Sequence, residues 1–345
     1  MIKGGLVGLA TNLVGPADPE VQLTINLGEL PTPAPRERKT TRNPDLHSPL
    51  RYPGGKRQLV PFFVDLLKLN GRTPLPLFIE PFTGGAAVSL HLLAADLVDQ
   101  VVLADLDPLV YAFWHQACYQ TEQLVDDIAA ADVTLEEWHR LRANPGRTLR
   151  EKAYACLFLN RTSYSGILQG RAGPIGGQKQ QSAYKIDCRF YKDEIIYRLR
   201  QIGQLASDNR IAAVRRTGVQ TTVKWVEEQF NEVGRLYYFD PPFWEKGERL
   251  YRKAFGRREH EQLASLLTGL EAPWVLSYDY HDEIIDLYRE SAQNEGHEAS
   301  DLVPAGGPRL HKTDLLYCNR HKGRGATELI ITNLPHLPQE HVSGA

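Results

Sequence analysis

Two short apolar runs that each end in an acidic residue constrain the fold of this 345-residue chain more than any other feature. PLPLFIE ends at Glu80 and VVLAD ends at Asp105. Continuous apolar runs of this length are typical of strands buried on both faces of a parallel sheet. A glycine turn, TGGAA, and an apolar helical segment, AVSLHLLAADL, lie between them. The stretch therefore predicts one β-α-β unit of an α/β fold with a doubly wound sheet.

The remaining patterns divide the chain into segments. Further strands are predicted at RLYYF, PWVLSYDY and ATELIITN, and helices at about Gln58 to Leu69 and from Asp107-Pro108 onward. The pattern between about 121 and 218 is mostly helical. We therefore expect a poorly ordered, proline-rich arm at 1–45 and one α/β domain formed by 46–120 and 219–335. A helical domain at 121–218 is inserted within that α/β domain, and a short tail follows at 336–345.

The charge is distributed unevenly along the chain. The whole sequence has a formal net charge of −2, yet from Arg140 to Arg216 there are 16 Lys/Arg against 5 Asp/Glu, a local net charge of +11. Aromatic residues such as Tyr164 and Tyr184 are interleaved with these basic residues. A basic segment within an acidic frame is typical of a nucleic-acid-binding insert, although a solvated helical surface would have a similar composition.

Several classes of protein are disfavoured. The four cysteines have no metal-ligand spacing, and no secretory context indicates a disulfide framework. None of them follows a proline, so the cysteine nucleophile of cytosine C5 methylation is missing. No apolar run is long enough for a membrane span. We expect a cytoplasmic protein without a metal, without a membrane partner and with unknown protein partners.

The two strand ends suggest a nucleotide-like ligand. Gly84 and Gly85 would let the backbone approach a ligand closely, and Asp105 follows Glu80 by 25 residues. A similar offset presents an acid to ribose hydroxyls in doubly wound nucleotide sites. The spacing favours an adenosine-containing ligand. The plainer alternative is that Asp105 or Asp107 only caps the next helix.

The most specific motif is FDPPF, at residues 239–243. Two prolines after an apolar strand stiffen the turn and remove two N–H donors, which leaves carbonyl oxygens free to accept hydrogen bonds. An exocyclic amine of a base is a poor nucleophile, so acceptors such as Asp240 and the Pro241 carbonyl could activate it. Phe243 could stack on a base extruded from a duplex. The alternative is a rigid turn next to a core phenylalanine.

RYPGGK, FIEPFTGGAAV, LADLD, FLNRTSYSG and FDPPF occur in this order, and together they resemble the Dam-like family of DNA adenine methylases. The resemblance extends from about Ser48 to Asn333. It implies a Rossmann-like methyltransferase sheet with an inserted, mainly helical target-recognition domain. It also implies an enzyme that transfers a methyl group from S-adenosylmethionine to N6 of adenine in double-stranded DNA, with the base flipped out.

The resemblance assigns roles to individual residues. Lys56 is a partner for the methionine carboxylate of the cofactor, and Asp105 is the ribose-binding acid. Cofactor binding is implied for Tyr52, Gly55, Lys56, Glu80, Pro81, Phe82, Gly84 and Asp105. Catalysis is implied for Asp240, Pro241, Pro242 and Phe243. For DNA binding, the family motif supplies Asn160, Arg161 and Tyr164, while the basic insert adds Lys179 and Lys185.

Two residues depart from the family pattern. Phe243 stands where tyrosine is usual, which keeps the stacking face and loses the hydroxyl. Ala86 stands where a second glycine is common. The alternatives left open are an N4-cytosine DNA methyltransferase and a catalytically impaired DNA-binding relative. A small-molecule or RNA methyltransferase is disfavoured because neither requires so large a basic insert.

Overall fold

The computed structural model describes residues 46–51, 56–168, 172–244, 255–294, 309–316 and 325–338. The predicted N-terminal arm, Tyr52, Gly55 and most of the predicted C-terminal tail lie outside the described residues. Within the described part, ten α-helices occur, which are α1 (Val60–Leu69), α2 (Ala87–Ala94), α3 (Pro108–Tyr119), α4 (Thr121–Ala130), α5 (Leu135–Ala143), α6 (Leu149–Thr162), α7 (Lys192–Ser207), α8 (Val219–Gln229), α9 (Arg257–Thr268) and α10 (Asp282–Asn294).

Seven strands form one sheet. They are β1 (Leu75–Glu80), β2 (Val98–Ala104), β3 (Ile211–Arg215), β4 (Arg235–Phe239), β5 (Trp274–Asp279), β6 (Arg309–Leu316) and β7 (Gly325–Thr332). Their order is β3-β2-β1-β4-β5-β7-β6. Strands β1 to β5 pair in parallel, whereas β7 runs antiparallel to both β5 and β6. This arrangement confirms the predicted α/β fold with a Rossmann-like sheet.

The strand order reverses between β1 and β4, and this position determines where a ligand can bind. From β1 the chain moves outward through β2 to β3, and then returns to the other side of β1 as β4. Connections therefore leave the two central strands toward opposite faces, which opens a crevice beyond their carboxyl ends. The sheet topology alone therefore identifies one edge as the candidate site.

Each face of the sheet is covered by helices, because successive strand residues point to opposite faces. Along β4, Tyr238 contributes to one core, which it shares with α1 to α7. Its neighbours Tyr237 and Phe239 contribute to the other core, which is shared with α8, α9 and α10. The central strands are thus buried on both sides, as their nearly continuous apolar sequences predict.

The helices of the predicted insert are not packed apart from the sheet. Buried residues of α4 to α7 belong to the same core as α3 and the strands, including Trp138 and Phe158. Residues 42–345 form one compact unit. The assignment of 121–218 to DNA recognition remains a prediction.

One boundary of that insert is wrong. Strand β3 lies within the range 121–218, yet it pairs with β2 in the central sheet, so the sheet resumes at Ile211. This five-residue edge strand is buried only at its first residue. Its two alanines have a weak strand preference. The short strand therefore has little apolar signal. Strand β6, at the other edge of the sheet, was also not predicted.

Candidate active site

A cavity of about 530 Å³ lies over the carboxyl ends of β1, β2 and β4. Its lining includes Glu80, Asp105 and Asp240, which all stand at strand ends. Glu80 ends β1, while Asp105 and Asp240 directly follow β2 and β4. Parallel strands bring their carboxyl ends to one edge, so residues far apart in sequence meet here. The cavity is located where the strand order reverses.

The loop between β1 and α2 forms one wall of the cavity. Gly84 has a φ of 45°, which glycine adopts without strain. Its N–H donates to Asp105 Oδ2 over 2.9 Å, and its carbonyl accepts from Trp114 Nε1 over 2.9 Å. Thr83 N–H donates to the Ala104 carbonyl over 3.0 Å. The loop is therefore tied to the end of β2 and held rigid.

Ala86 shows what its departure from the family pattern means structurally. It precedes α2 with a φ of 48° and a ψ of 33°, in the left-handed region. For a residue with a Cβ, this conformation costs about 1 kcal/mol relative to the right-handed one. Ala86 is buried and its N–H donates to the Thr83 carbonyl over 2.7 Å. The surrounding loop thus holds a strained residue where glycine would be relaxed.

Glu80 is a buried carboxyl group with one unused oxygen. Its Oε1 accepts from the Ser89 N–H over 3.3 Å. Its Oε2 is buried and has no hydrogen-bond partner among the described residues. Burial raises the pKa of Glu80 to about 8, with Asp240 adding a smaller upward contribution against the hydrogen bonds from Ser89. An oxygen of this kind fits a ligand that brings an N–H or O–H donor.

Asp105 and Asp107 have separate tasks. Asp105 accepts one backbone N–H on each oxygen, from Gly84 over 2.9 Å and from Asp107 over 2.8 Å. Burial, followed by the nearby Asp107 charge, raises the pKa of Asp105 to about 7. Asp107 caps α3 by accepting from the Leu109 N–H over 2.8 Å. The capping alternative therefore applies to Asp107, and the lone pairs that remain on Asp105 lie in the cavity wall.

Asp240 is held by a cluster of charged and polar groups. Its Oδ1 lies 2.7 Å from Lys56 Nζ and accepts from Ser277 Oγ over 3.1 Å. Tyr238 OH lies 2.9 Å from Ser277 Oγ and can donate to it. Lys56 Nζ also lies 2.8 Å from Glu328 Oε1 on β7. Lys56 and Glu328 are buried, whereas the Asp240 side chain is 29% exposed toward the site.

The turn after β4 continues the site. Pro241 and Pro242 are buried, and Pro242 lines the cavity. The Phe243 ring centroid lies 5.6 Å from Lys56 Nζ, within the range of a cation–π contact. Trp244 N–H donates to Asp279 Oδ1 over 3.3 Å, which anchors the end of the turn on β5. Both ends of the DPPF turn, Asp240 and Phe243, thus contact the basic side chain of Lys56.

Two of the predicted DNA-binding residues are buried and contact backbone atoms. Asn160 is fully buried and clamps Arg51, since its Oδ1 accepts from the Arg51 N–H over 2.6 Å and its Nδ2 donates to the Arg51 and Gly166 carbonyls, both over 2.9 Å. Arg161 is only 5% exposed, and its Nε donates to the Pro49 carbonyl over 2.6 Å. Neither side chain is therefore on the outer surface in this conformation, and the assignment of both residues to DNA binding stays a prediction. Both side chains are used to dock residues 49–51 onto the end of α6.

The other three predicted DNA-binding residues are exposed. Tyr164 is 62% exposed, and Lys179 and Lys185 are also exposed. Tyr164 follows the end of α6 after Ser163, and its N–H donates to the Gly173 carbonyl over 2.9 Å. These residues do not line the cavity, but they are available to a large ligand approaching the outside of the molecule.

The cavity brings together most of the predicted site residues and several that the sequence did not suggest. The predicted residues in its lining are Lys56, Glu80, Pro81, Phe82, Gly84, Asp105, Asp240, Pro242 and Arg161. Tyr52 and Gly55 lie outside the described residues. Ser277, Glu328, Arg51 and Arg198 were not predicted. Polar residues within apolar strand runs, WVLSYD and ATELIIT, are the signal that would have identified Ser277 and Glu328.

In the described part of the chain, no three His, Cys, Asp or Glu residues are grouped as they would be around a metal ion. None of the described helices has the length and apolar character needed to cross a membrane.

The comparisons with known proteins agree with the geometry of the site. The family model described as D12 class N6 adenine-specific DNA methyltransferase matches residues 52–301. A similar curated protein is the Type II methyltransferase M.CviBI of Paramecium bursaria Chlorella virus NC1A. It is 21% identical over 249 residues, which cover 69% of this chain and 85% of the relative. The residues that the family model matches include the strand ends that line the cavity.

Proposed function

Because the chain belongs to the D12 class N6 adenine-specific DNA methyltransferase family, we propose that it methylates N6 of an adenine flipped out of double-stranded DNA, with S-adenosylmethionine as the methyl donor. Family membership favours adenine over the N4-cytosine alternative. M.CviBI is named a type II methyltransferase, which supports a role in site-specific modification of the restriction–modification kind.

The observation that carries the proposed mechanism is the way Asp240 is held. The contacts described for this carboxylate, from Lys56 Nζ and Ser277 Oγ, both reach Oδ1. Oδ2 is thus available to accept a hydrogen bond from a ligand. The N6 lone pair of adenine is delocalised into the ring, so an acceptor directed at an N6 hydrogen favours the nucleophilic form. Asp240 Oδ2 would supply this acceptor.

The proline turn would supply the second acceptor. The N6 amino group has two hydrogens, and the Pro241 carbonyl follows Asp240 directly in the chain. Proline at 241 and 242 restricts the backbone and removes donors that would compete for the same acceptors. Phe243 would stack on the extruded base, for which the hydroxyl of the usual tyrosine is not required.

The cavity fits the proposed donor. The unpartnered Glu80 Oε2 matches a ligand with an ammonium or hydroxyl group, and Asp105 retains lone pairs for ribose hydroxyls. Pro81, Phe82 and Gly84 line the same wall. S-adenosylmethionine supplies an electrophilic methyl group on a sulfonium. We assign Lys56 to holding Asp240, rather than to binding the donor carboxylate.

We propose that DNA is contacted by the exposed part of the insert. Lys179 and Lys185 would neutralise phosphates, and Tyr164 would occupy the space left by the flipped base. Asn160 and Arg161 would act indirectly, by fixing the end of α6 from which Tyr164 extends. The helices that share a core with the sheet would then couple DNA binding to the position of the cavity.

The test is methyl transfer from labelled S-adenosylmethionine to genomic DNA that lacks methylation, followed by nucleoside analysis. The expected product is N6-methyladenine from the wild-type protein and none from the Asp240→Ala variant. N4-methylcytosine as the product would contradict the adenine assignment. Cofactor binding without any methylated product would instead identify a catalytically impaired relative.

A further inference from the structure

One end of the cavity is basic, in contrast to the acidic strand ends. The lining there includes Ser48, Arg51, Arg161 and Arg198. Arg51 and Ser48 belong to the segment docked on α6, Arg161 is in the last turn of α6, and Arg198 is on α7. Three chain segments thus bring guanidinium groups to the same end.

These guanidinium groups retain unused hydrogen-bond donors. Arg161 is 5% exposed, with Nε bonded to the Pro49 carbonyl and Nη1 3.4 Å from the Arg189 carbonyl. Its Nη2 is buried and has no hydrogen-bond partner among the described residues. Arg51 Nη1 is also buried without a partner. Leaving such charged donors unpaired is costly.

The positive charge at this end is only partly neutralised. Glu194 forms an ion pair with Arg198 and also lies near Arg161. Burial, followed by the charges of Arg198, Arg51 and Arg189, lowers the pKa of Arg161 to about 10, against the opposing effect of Glu194. Burial and Arg189 also lower the pKa of Arg51. An anion bound between these groups would relieve both the repulsion and the unpaired donors.

We propose that Arg161 and Arg51 bind the carboxylate of the amino-acid part of the methyl donor, an inference that rests on S-adenosylmethionine being the donor. The other Lys and Arg side chains in the lining are less suitable. Lys56 is already held between Asp240 and Glu328, Arg198 is paired with Glu194, and Arg57 is exposed. A phosphate of the DNA backbone is a less suitable ligand, because Arg161 is buried inside the molecule.

The test compares two ligands that differ only in the carboxylate. S-adenosylhomocysteine has it, and its decarboxylated analogue S-adenosyl-3-thiopropylamine keeps the amine and lacks the carboxylate. Their affinities are measured by calorimetry for the full-length wild type, Arg161→Gln and Arg51→Met. Arg51→Met is informative because Asn160 holds the backbone of residue 51, not its side chain. The double variant K56M/E328Q tests Lys56 as the alternative partner.

The wild type is expected to bind S-adenosylhomocysteine about 10- to 100-fold more tightly than the analogue. The analogue cannot form the hydrogen bonds between the arginines and the charged carboxylate. Arg161→Gln should remove most of this preference, Arg51→Met part of it, and K56M/E328Q none. Equal weakening of both ligands by Arg161→Gln would overturn the proposal, because it would indicate structural damage only.

Loss of the preference in K56M/E328Q would also overturn it and assign the carboxylate to Lys56. A third contradicting result is an Arg161→Gln variant with weaker DNA binding and an unchanged ligand preference, which would assign the arginines to a phosphate. Failure of the wild type to bind either ligand would overturn the proposed function itself.

Discussion

The carboxyl edge of the sheet and the end of α6 both carry short sequence motifs, but the motif positions predict the side-chain environment only at the sheet edge. At the sheet edge, Glu80, Asp105 and Asp240 all line one cavity, as their positions at strand ends predict. At the end of α6, neighbouring residues have opposite environments, since Asn160 is buried and Tyr164 is 62% exposed. A strand end has a fixed place in a parallel sheet, whereas a helix end depends on what packs against it.

The comparison implies that charge interactions hold the residues at the sheet edge in place. At the end of α6, packing and hydrogen bonds to the backbone do so. The cluster of Lys56, Asp240 and Glu328 contains a fully buried carboxylate next to a buried ammonium. The cluster around Asn160 consists of hydrogen bonds to backbone atoms of Arg51 and Gly166. Substitutions in the two clusters should therefore have different consequences.

The largest effect on stability is expected for Lys56→Met, which removes the ammonium that lies 2.8 Å from the buried Glu328 carboxylate. We expect a loss of about 3–5 kcal/mol in the free energy of unfolding, measured by urea denaturation. The double variant K56M/E328Q should recover most of this loss, because it removes the buried charge as well. If Lys56→Met changed stability by less than about 1 kcal/mol, the charge dependence of the sheet edge would be disproved.

A smaller effect is expected for Asn160→Ala, which removes three hydrogen bonds to backbone groups. The expected loss is about 3 kcal/mol, since the Arg51 N–H and carbonyl lose their partner. Tyr164→Ala is the matched control, and it should change the free energy of unfolding by less than about 0.5 kcal/mol because its side chain is exposed. Equal losses in the two variants would show that the contrast in burial has no energetic consequence.

For DNA affinity, in contrast to stability, substitutions of exposed residues should have the clear effects. Lys179→Ala and Lys185→Ala should each weaken binding at low salt and reduce the slope of log K against log salt by about 1, because each lysine releases one counterion. Lys68→Ala, on the sheet-covering helix α1, is a suitable control with an exposed lysine and should leave the slope unchanged. An unchanged slope in both insert variants would contradict the assignment of the insert to DNA.

The smallest effect is a pH-dependent proton release on ligand binding. With a pKa of about 8, Glu80 holds its proton at pH 7 in the unliganded protein. A bound ammonium favours the ionised carboxylate, so S-adenosylhomocysteine binding should release up to about one proton at pH 7 and almost none at pH 9. Calorimetry in buffers of different ionisation enthalpy measures this release. Glu80→Gln should abolish it, and an unchanged release in that variant would remove Glu80 from the site.

The sequence was sufficient for the parts of the fold where each element has a strong apolar signal. Strands β1, β2, β4, β5 and β7 were predicted, and their alternation with helices indicated the parallel sheet. Strand β3 was not predicted because only one of its five residues is fully buried. Edge strands have one unpaired side and less burial, so their sequences are less distinctive.

The candidate site was predictable where residues follow strands and unpredictable where they meet through tertiary packing. The resemblance associated Lys56 with the methionine carboxylate, but the structure pairs it with Glu328, which lies 272 residues later in the chain. No local pattern indicates that partner. Likewise, the motif around Asn160 identified the correct segment, yet whether its side chains face DNA or the docked segment depends on Pro49 and Arg51, which pack against it.

The central claim is that the Asp240 carboxylate activates the target amine, and single-turnover methyl transfer by Asp240→Asn tests it most directly. This variant keeps the size of the side chain and removes the carboxylate charge. The predicted result is a rate lower by about 10²–10⁴-fold, with affinities for S-adenosylhomocysteine and DNA within about threefold of wild type. A rate within about tenfold of wild type would contradict the account.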